Sequence, residues 1–418
     1  MPRSKTFFIL VRRLCGELCE ALLTVCNTQL RKKLGVFFFL RMIFTFVEIL
    51  PLKRRCVDME EFSCKTRVIS GSGTIRMLGK LDKKRLFLVA DPFFVKNGRA
   101  QQVAEATGCP DVEIFDRVEP DPTVELAAEA TARLKAFQPD LLVALGGGSA
   151  MDLAKAMAYF GKGDYMLAAI PTTSGSGSEV TDFAILTHNK VKHPLVDRRL
   201  RPDMAILDSD LLQQLPQGLI AETGFDVLTH ALEAYVAGNS GSISDLYARE
   251  AFSSAYASLP ASYAGNQNVR LKVHIAATMA GMAFSQAGLG LCHAMAHSLG
   301  GMFHVPHGRL NAILIPSIVA CNAHVCGKKY AELARAAGIG GSADSVAVRN
   351  LRNGLVRLRR ELNLPETLSQ AGVDPRAVWR NVNEIVEATL QDPCCKSNPM
   401  VVEGFLIRRI LEEVTGRG

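Results

Sequence analysis

The chain has 418 residues, 48% hydrophobic and 21% charged, which fits an enzyme-sized globular protein with more than one core. Its formal charge of +7 is confined to one end: residues 1–58 hold eleven Lys/Arg and four Asp/Glu, whereas 59–418 hold 37 of each. A neutral body with one Trp and seven Tyr excludes the basic, aromatic-rich surface that binds nucleic acid.

Residues 1–58 form an atypical basic and apolar extension. Its apolar run VFFFLRMIFTFVEIL at 36–50 is broken by Arg41 and Glu48, so it falls short of the ~20 uninterrupted apolar residues of a membrane span. Nor does it have the layout of a secretory signal. Three readings stay open: an interfacial anchor, a packaging or targeting tail, or sequence upstream of a functional start at Met59, which composition favours. The seven cysteines after it (Cys64, Cys109, Cys292, Cys321, Cys326, Cys394 and Cys395) make no CxxC pattern, as expected of reduced thiols.

From about residue 66 to 214, short apolar runs alternate with helical patterns. RLFLVAD (85–91), VEIFD (112–116), LLVALGGG (141–148), MLAAIPT (166–172) and DMAILD (203–208) are predicted strands. TVELAAEATARLKAF, entered through DPT, is a predicted helix. This alternation predicts an α/β domain over 59–214, a doubly wound and mostly parallel sheet suited to a dinucleotide. From Leu215 the pattern turns helical, so an all-α domain is expected over 215–418, with Pro216–Gly218 as the joint.

The strand LLVAL enters a turn of Gly146, Gly147 and Gly148 and then a helix, an arrangement that offers backbone N–H groups and a helix dipole to a phosphate. A plain strand-to-helix turn has the same signature. A second loop at a strand end, PTTSGSGSE with Thr172, Thr173, Ser174, Ser176 and Ser178, favours the cofactor reading, because two such loops define a crevice. Asp91, closing the first predicted strand, could accept from a ribose and disfavour a 2′-phosphate, or could cap the helix that Pro92 begins.

The helical half carries a metal-type pattern. Asp226 and His230 lie four residues apart in GFDVLTHALEAY and share one helix face. Four of the nine histidines crowd into 288–308, where His293 and His297 repeat that spacing and His307 follows Pro306 in VPHG. One carboxylate with three imidazoles suits Fe²⁺, Zn²⁺ or Co²⁺. A single helical histidine is more often a satisfied core residue than a ligand, so the pairs carry the inference. His304 lacks such a partner and is read as structural, and Cys292 falls on another face from His293.

GGGSAMD, PTTSGSGSEVT, GFDVLTHALEAY, AGLGLCHAMAHSLGG and VPHGRLNAILIP, in this order and spacing, resemble the iron-containing, group III alcohol dehydrogenase family over about 62–418. Within it the chain is most similar to the branch found in propanediol-utilisation microcompartments. The resemblance implies Asp226, His230, His293 and His307 as ligands of Fe²⁺, with Zn²⁺ the alternative. It implies His297 beside the nicotinamide without ligating, and an imidazole in that place is the candidate catalytic proton relay. It also implies NAD at Asp91, Gly146, Gly147, Gly148, Ser149, Asp152, Thr172, Thr173 and Lys192. The activity implied interconverts short aldehydes and primary alcohols, with propionaldehyde to 1-propanol foremost, in a cytoplasmic homo-oligomer that could meet microcompartment shell or cargo proteins. One departure is SNPM, with Met400 where the family often has Arg. A dehydroquinate-synthase-like lyase and a catalytically silent cargo protein are the competing classes.

Overall fold

The computed structural model describes residues 61–189 and 191–416, all within one unit, Glu61–Gly418. The predicted extension at 1–58 lies outside the described residues.

Among the described residues the first half holds eight strands: β1 (Arg67–Gly71), β2 (Arg85–Ala90), β3 (Asp111–Phe115), β4 (Leu141–Gly146), β5 (Met166–Pro171), β6 (Phe183–His188), β7 (Val191–Val196) and β8 (Met204–Asp208). Six form a sheet in the order β1-β8-β5-β4-β2-β3, with all neighbours parallel. Four helices belong to this half: α1 (Pro92–Lys96), α2 (Arg99–Thr107), α3 (Val124–Phe137) and α4 (Gly148–Gly161).

Alternate residues of β2 and β4 face opposite layers. Phe87, Val89, Leu142 and Ala144 pack with Leu134 of α3 and Met151 of α4, whereas Leu86, Leu88, Val143 and Leu145 pack with Val103 of α2. Burial on both faces is why these strands read as unbroken apolar runs. Chain order runs outward from β2 to β3, then returns to β4 on the other flank of β2. That reversal makes β2/β4 the switch point of the sheet, where a crevice opens at the carboxyl ends of the strands.

All five predicted strands form; four are shorter than predicted, and β3 keeps its length but starts one residue earlier. β2 stops at Ala90 because Asp91 leaves the ladder to cap α1, its side chain accepting from Phe93 N at 2.9 Å. The strands missed are the marginal ones. β1 is a half-exposed edge, and β6 and β7 form a separate antiparallel hairpin with Pro194 in its ladder. Proline and polar residues mask a strand signal, and an edge tolerates both.

The second half is helical: α5 (Gln217–Val236), α6 (Ser242–Tyr263), α7 (Gln267–Ala287), α8 (Leu291–Phe303), α9 (His307–Ala336), α10 (Asp344–Glu361), α11 (Pro375–Arg380), α12 (Val382–Gln391) and α13 (Gly404–Thr415). Helix α5 starts directly after Pro216, inside the predicted joint. Every residue of α5 from Gly224 to Val236 is buried, so its polar members Asp226, His230 and Glu233 lie deep in the domain.

Candidate active site

At the switch point, the glycine turn is forced by crowding. Gly146 has φ 156°, and a Cβ there would lie 2.6 Å from the Ala150 Cβ and 3.3 Å from that of Asp91. Gly147 is the N-cap of α4 and supplies no side-chain cap, so the first turn keeps N–H groups for another acceptor. The loop after β5 closes over this turn: Thr172 N donates to Gly146 O at 2.9 Å, and a Cβ on Gly147 would sit 3.4 Å from Thr173 Oγ1. Asp91 is adjacent, its N–H donating to Leu145 O at 3.0 Å. Asp91, Gly146, Gly147, Gly148, Ser149, Thr172 and Thr173 therefore lie together at the carboxyl ends of β2, β4 and β5. Asp91 uses one carboxylate oxygen as a cap, so the two readings of this residue are compatible.

Asp152 lies on α4, in the turn after Gly148–Ser149, and Lys192 on β7. Asp152 accepts from Ser178 Oγ at 3.0 Å, and burial pushes its carboxyl up to about 6 against the pull of Lys155. Lys192, on β7, pairs with Asp121 Oδ1 at 2.6 Å and is close enough for its charge to act on Asp152. Lys155, 1% exposed, donates to Ser178 O (2.7 Å), Thr181 Oγ1 (2.9 Å) and Phe183 O (2.6 Å), which fixes the loop from below.

That loop also touches the helical domain. Ser174 Oγ meets His274 Nδ1 of α7 at 3.0 Å, and Thr278 of the same helix donates to Glu179 at 2.5 Å. The Gly175 carbonyl acts on the His230 imidazole. One segment, 172–179, thus borders both the glycine turn and the histidine cluster.

In that cluster a single oxygen, Asp226 Oδ1, lies 3.8 Å from His230 Nε2, 3.7 Å from His293 Nε2 and 3.5 Å from His307 Nε2. Donors bound tetrahedrally at about 2.0–2.2 Å from a shared ion are roughly 3.4 Å apart; Asp226, His293 and His307 each place one donor atom within 4.8 Å of the others, and His230 joins them through Asp226 Oδ1. The fully buried Asn311 amide also reaches the set, 2.8 Å from Asp226 Oδ1 and 3.2 Å from His307 Nε2. One carboxylate and three imidazoles in this arrangement could hold a divalent transition metal.

Electrostatics separate the three imidazoles. Burial alone would raise the Asp226 carboxyl, but His230 and His307 outweigh it and hold it well below the usual range. Burial is the largest influence on both His230, held down to about 4, and His307, held well below its ordinary value. His293 goes the other way: against burial, Asp226 and Glu233 push it up to about 9.

Glu233, which sequence reasoning missed, fixes His293 by accepting at 2.6 Å from Nδ1, leaving Nε2 for the cluster. The same carboxylate accepts from Gly290 N (3.0 Å) and Cys292 N (2.7 Å), capping α8 from a different helix. This explains the glycine at 290, because a Cβ there would lie 2.8 Å from Glu233 Oε1. Asp226, His230 and Glu233 follow an i, i+4, i+7 stripe, and Asn311 is i+4 from His307, so helical spacing contains both missed residues. Cys292 turns away, its Sγ 3.8 Å from Asn311 O.

His297 stands outside the Asp226 group. Its Nδ1 lies 2.9 Å from Asp392 Oδ2, and its ring stacks on His307 at 5.2 Å with a 17° interplanar angle. Asp392 has no local sequence signal, since it meets His297 across 95 positions. In SNPM, Asn398 Oδ1 accepts from Leu291 N at 3.2 Å, so the motif buttresses the start of α8 with Met400 in place.

Comparison with known proteins agrees with this geometry. Residues 65–209 match the family described as iron-containing alcohol dehydrogenase, and 220–415 match the C-terminal part of the Fe-containing alcohol dehydrogenase family. A 1-propanol dehydrogenase of Salmonella typhimurium is 38% identical over 370 residues, covering 85% of this chain and all of that protein. An NADPH-dependent butanol dehydrogenase of Clostridium saccharobutylicum is 34% identical over 381 residues, covering 85% of this chain and 97% of that protein. The iron-containing alcohol dehydrogenase of Thermococcus thioreducens superposes with a TM-score of 0.78 at 32% identity, covering 84% of this chain and 98% of that one. Sheet, helical domain and histidine cluster thus have one common explanation: the chain belongs to the iron-containing alcohol dehydrogenase family, and it is an alcohol dehydrogenase.

Proposed function

We propose that the protein interconverts short-chain aldehydes and primary alcohols with NAD(H), using an iron ion held by Asp226, His230, His293 and His307, and that its principal reaction reduces propionaldehyde to 1-propanol. The carrying observation is the single Asp226 oxygen within 3.5–3.8 Å of three imidazole nitrogens, next to a loop that also borders the glycine turn. When bound, the ion supplies Lewis acidity to the substrate oxygen and the nicotinamide supplies or takes the hydride. Gly146–Gly148 and Thr172–Thr173 hold the cofactor phosphates, with Ser149, Asp152 and Lys192 at the margin and Asp91 favouring NAD over NADP. Glu233 keeps His293 in the ligating tautomer. His297, oriented by Asp392 and partly open to solvent, passes the proton between solvent and the substrate oxygen.

Iron is proposed from the family, because the same donors also suit zinc. The names of the propanol and butanol dehydrogenases among its relatives support a short unbranched substrate. A lyase acting on a phosphorylated ligand would need free cations here, but Arg309, the basic residue beside the ligand set, is paired with Glu222 at 2.9 Å.

The test is the rate of NADH oxidation by anaerobically iron-loaded protein. Propionaldehyde should drive it, longer aldehydes should follow more slowly, and a sugar phosphate should not. Equal inertness toward all short aldehydes would overturn the reading.

A further inference from the structure

A second cluster of ligand-type side chains lies beside the first. His297 on α8, Asp392 at the end of α12 and Cys394 in the following short 3₁₀ turn each place one donor atom within 4.8 Å of the others. The cluster is preassembled. Asp392 Oδ2 meets His297 Nδ1 at 2.9 Å, while Oδ1 accepts from Cys394 N at 2.8 Å, so the turn that positions the carboxylate also positions the thiol. It is also reachable, because the His297 side chain is 28% exposed and that of Asp392 14%. The neighbouring cysteine is turned away: Cys395 Sγ donates to Thr389 O at 2.9 Å.

We propose that His297, Asp392 and Cys394 form a second cation site, distinct from the Asp226 set, for a borderline-soft divalent metal such as Zn²⁺ or Co²⁺. One imidazole, one carboxylate and one thiolate are the donors such ions select, and three protein ligands leave a position for water. On binding, the Cys394 thiol gives up its proton to solvent and the sulfur becomes a metal ligand. The two sites differ in kind, because the Asp226 set contains only nitrogen and oxygen donors. Occupation would also withdraw His297 from any exchange with the cleft, so Zn²⁺ kept below the level at which iron is lost should inhibit reversibly.

The experiment is a Co²⁺ titration, under anaerobic conditions, of full-length protein whose first site is already filled with Fe²⁺. It does not depend on which reaction is catalysed, because retained iron reports on the Asp226 set and added cobalt on this one. The expected result is one equivalent of Co²⁺ per chain, with a sulfur-to-cobalt charge-transfer band in the near ultraviolet. The band should vanish in Cys394→Ser, persist in Cys395→Ser, and need at least tenfold more Co²⁺ in Asp392→Asn, with iron content unchanged in all three. No cobalt uptake by the wild type, uptake without the band, or a band surviving Cys394→Ser would each overturn the site. Should Cys394→Ser fail to retain iron, an undiminished affinity in Asp392→Asn would overturn it instead.

Discussion

At the end of β4, the groups presented to a ligand are backbone N–H groups of a glycine turn, whereas around Asp226 they are side chains, one of them held in turn by another side chain. The first region depends on what is missing: no Cβ at Gly146 and no side-chain cap on α4. The second depends on what is present, and removing Glu233 would free both the His293 imidazole and the start of α8. A backbone cradle is tuned by sterics and a metal cage by charge and tautomer, so the two should fail in different ways.

The largest effect should come from the cage. Asp226→Ala should abolish metal retention and lower activity by more than the roughly 10–100-fold typical of a residue that only supports a ligand. Glu233→Gln should fall within that range for metal affinity, measured by competition with a chelator. Unchanged metal content in Asp226→Ala would break the comparison.

The segment 172–179, joining the regions, should respond to pH. Burial holds His274 down to about 4, against an ordinary value of 6.5. The unfolded chain takes up that proton first, so the stability contributed is full above pH 6.5 and is lost as pH falls through 4, up to about 3 kcal/mol. Thermal melts of metal-loaded protein across this window should drop more steeply for the wild type than for His274→Asn. Parallel curves would contradict it.

The cradle should fail more gently. Gly146→Ala places a methyl against Ala150 at an unfavourable φ, and should raise the KM for NADH about tenfold, equivalent to about 1.4 kcal/mol, with metal content intact. The smallest effect belongs to Asp91→Ser. Serine keeps the cap of α1 but loses the charge, so stability should shift by less than about 0.5 kcal/mol while the preference for NADH over NADPH weakens several-fold. An unchanged preference would leave Asp91 as a cap alone.

Much of this was legible in the sequence because it is written at short range. The strands β2, β4, β5 and β8 are continuous apolar runs, and the histidines repeat at helical spacing. Glu233 was equally local, three residues beyond His230, but a carboxylate on an apolar helix reads as an isolated charge until α8 is seen to start on it. Asp392 could not be read at all, because nothing near it in the chain indicates a histidine on another helix. The hairpin β6–β7 and the edge β1 escaped for the opposite reason: partial exposure removes the apolar pattern that marks a strand.

The most direct test of the central claim is to locate the metal by anomalous diffraction at the iron edge in crystals of the anaerobically loaded protein. The account predicts one iron peak within about 2.0–2.3 Å of Asp226, His230, His293 and His307 together. An iron peak elsewhere, or one that leaves any of those four side chains out of bonding reach, would contradict it.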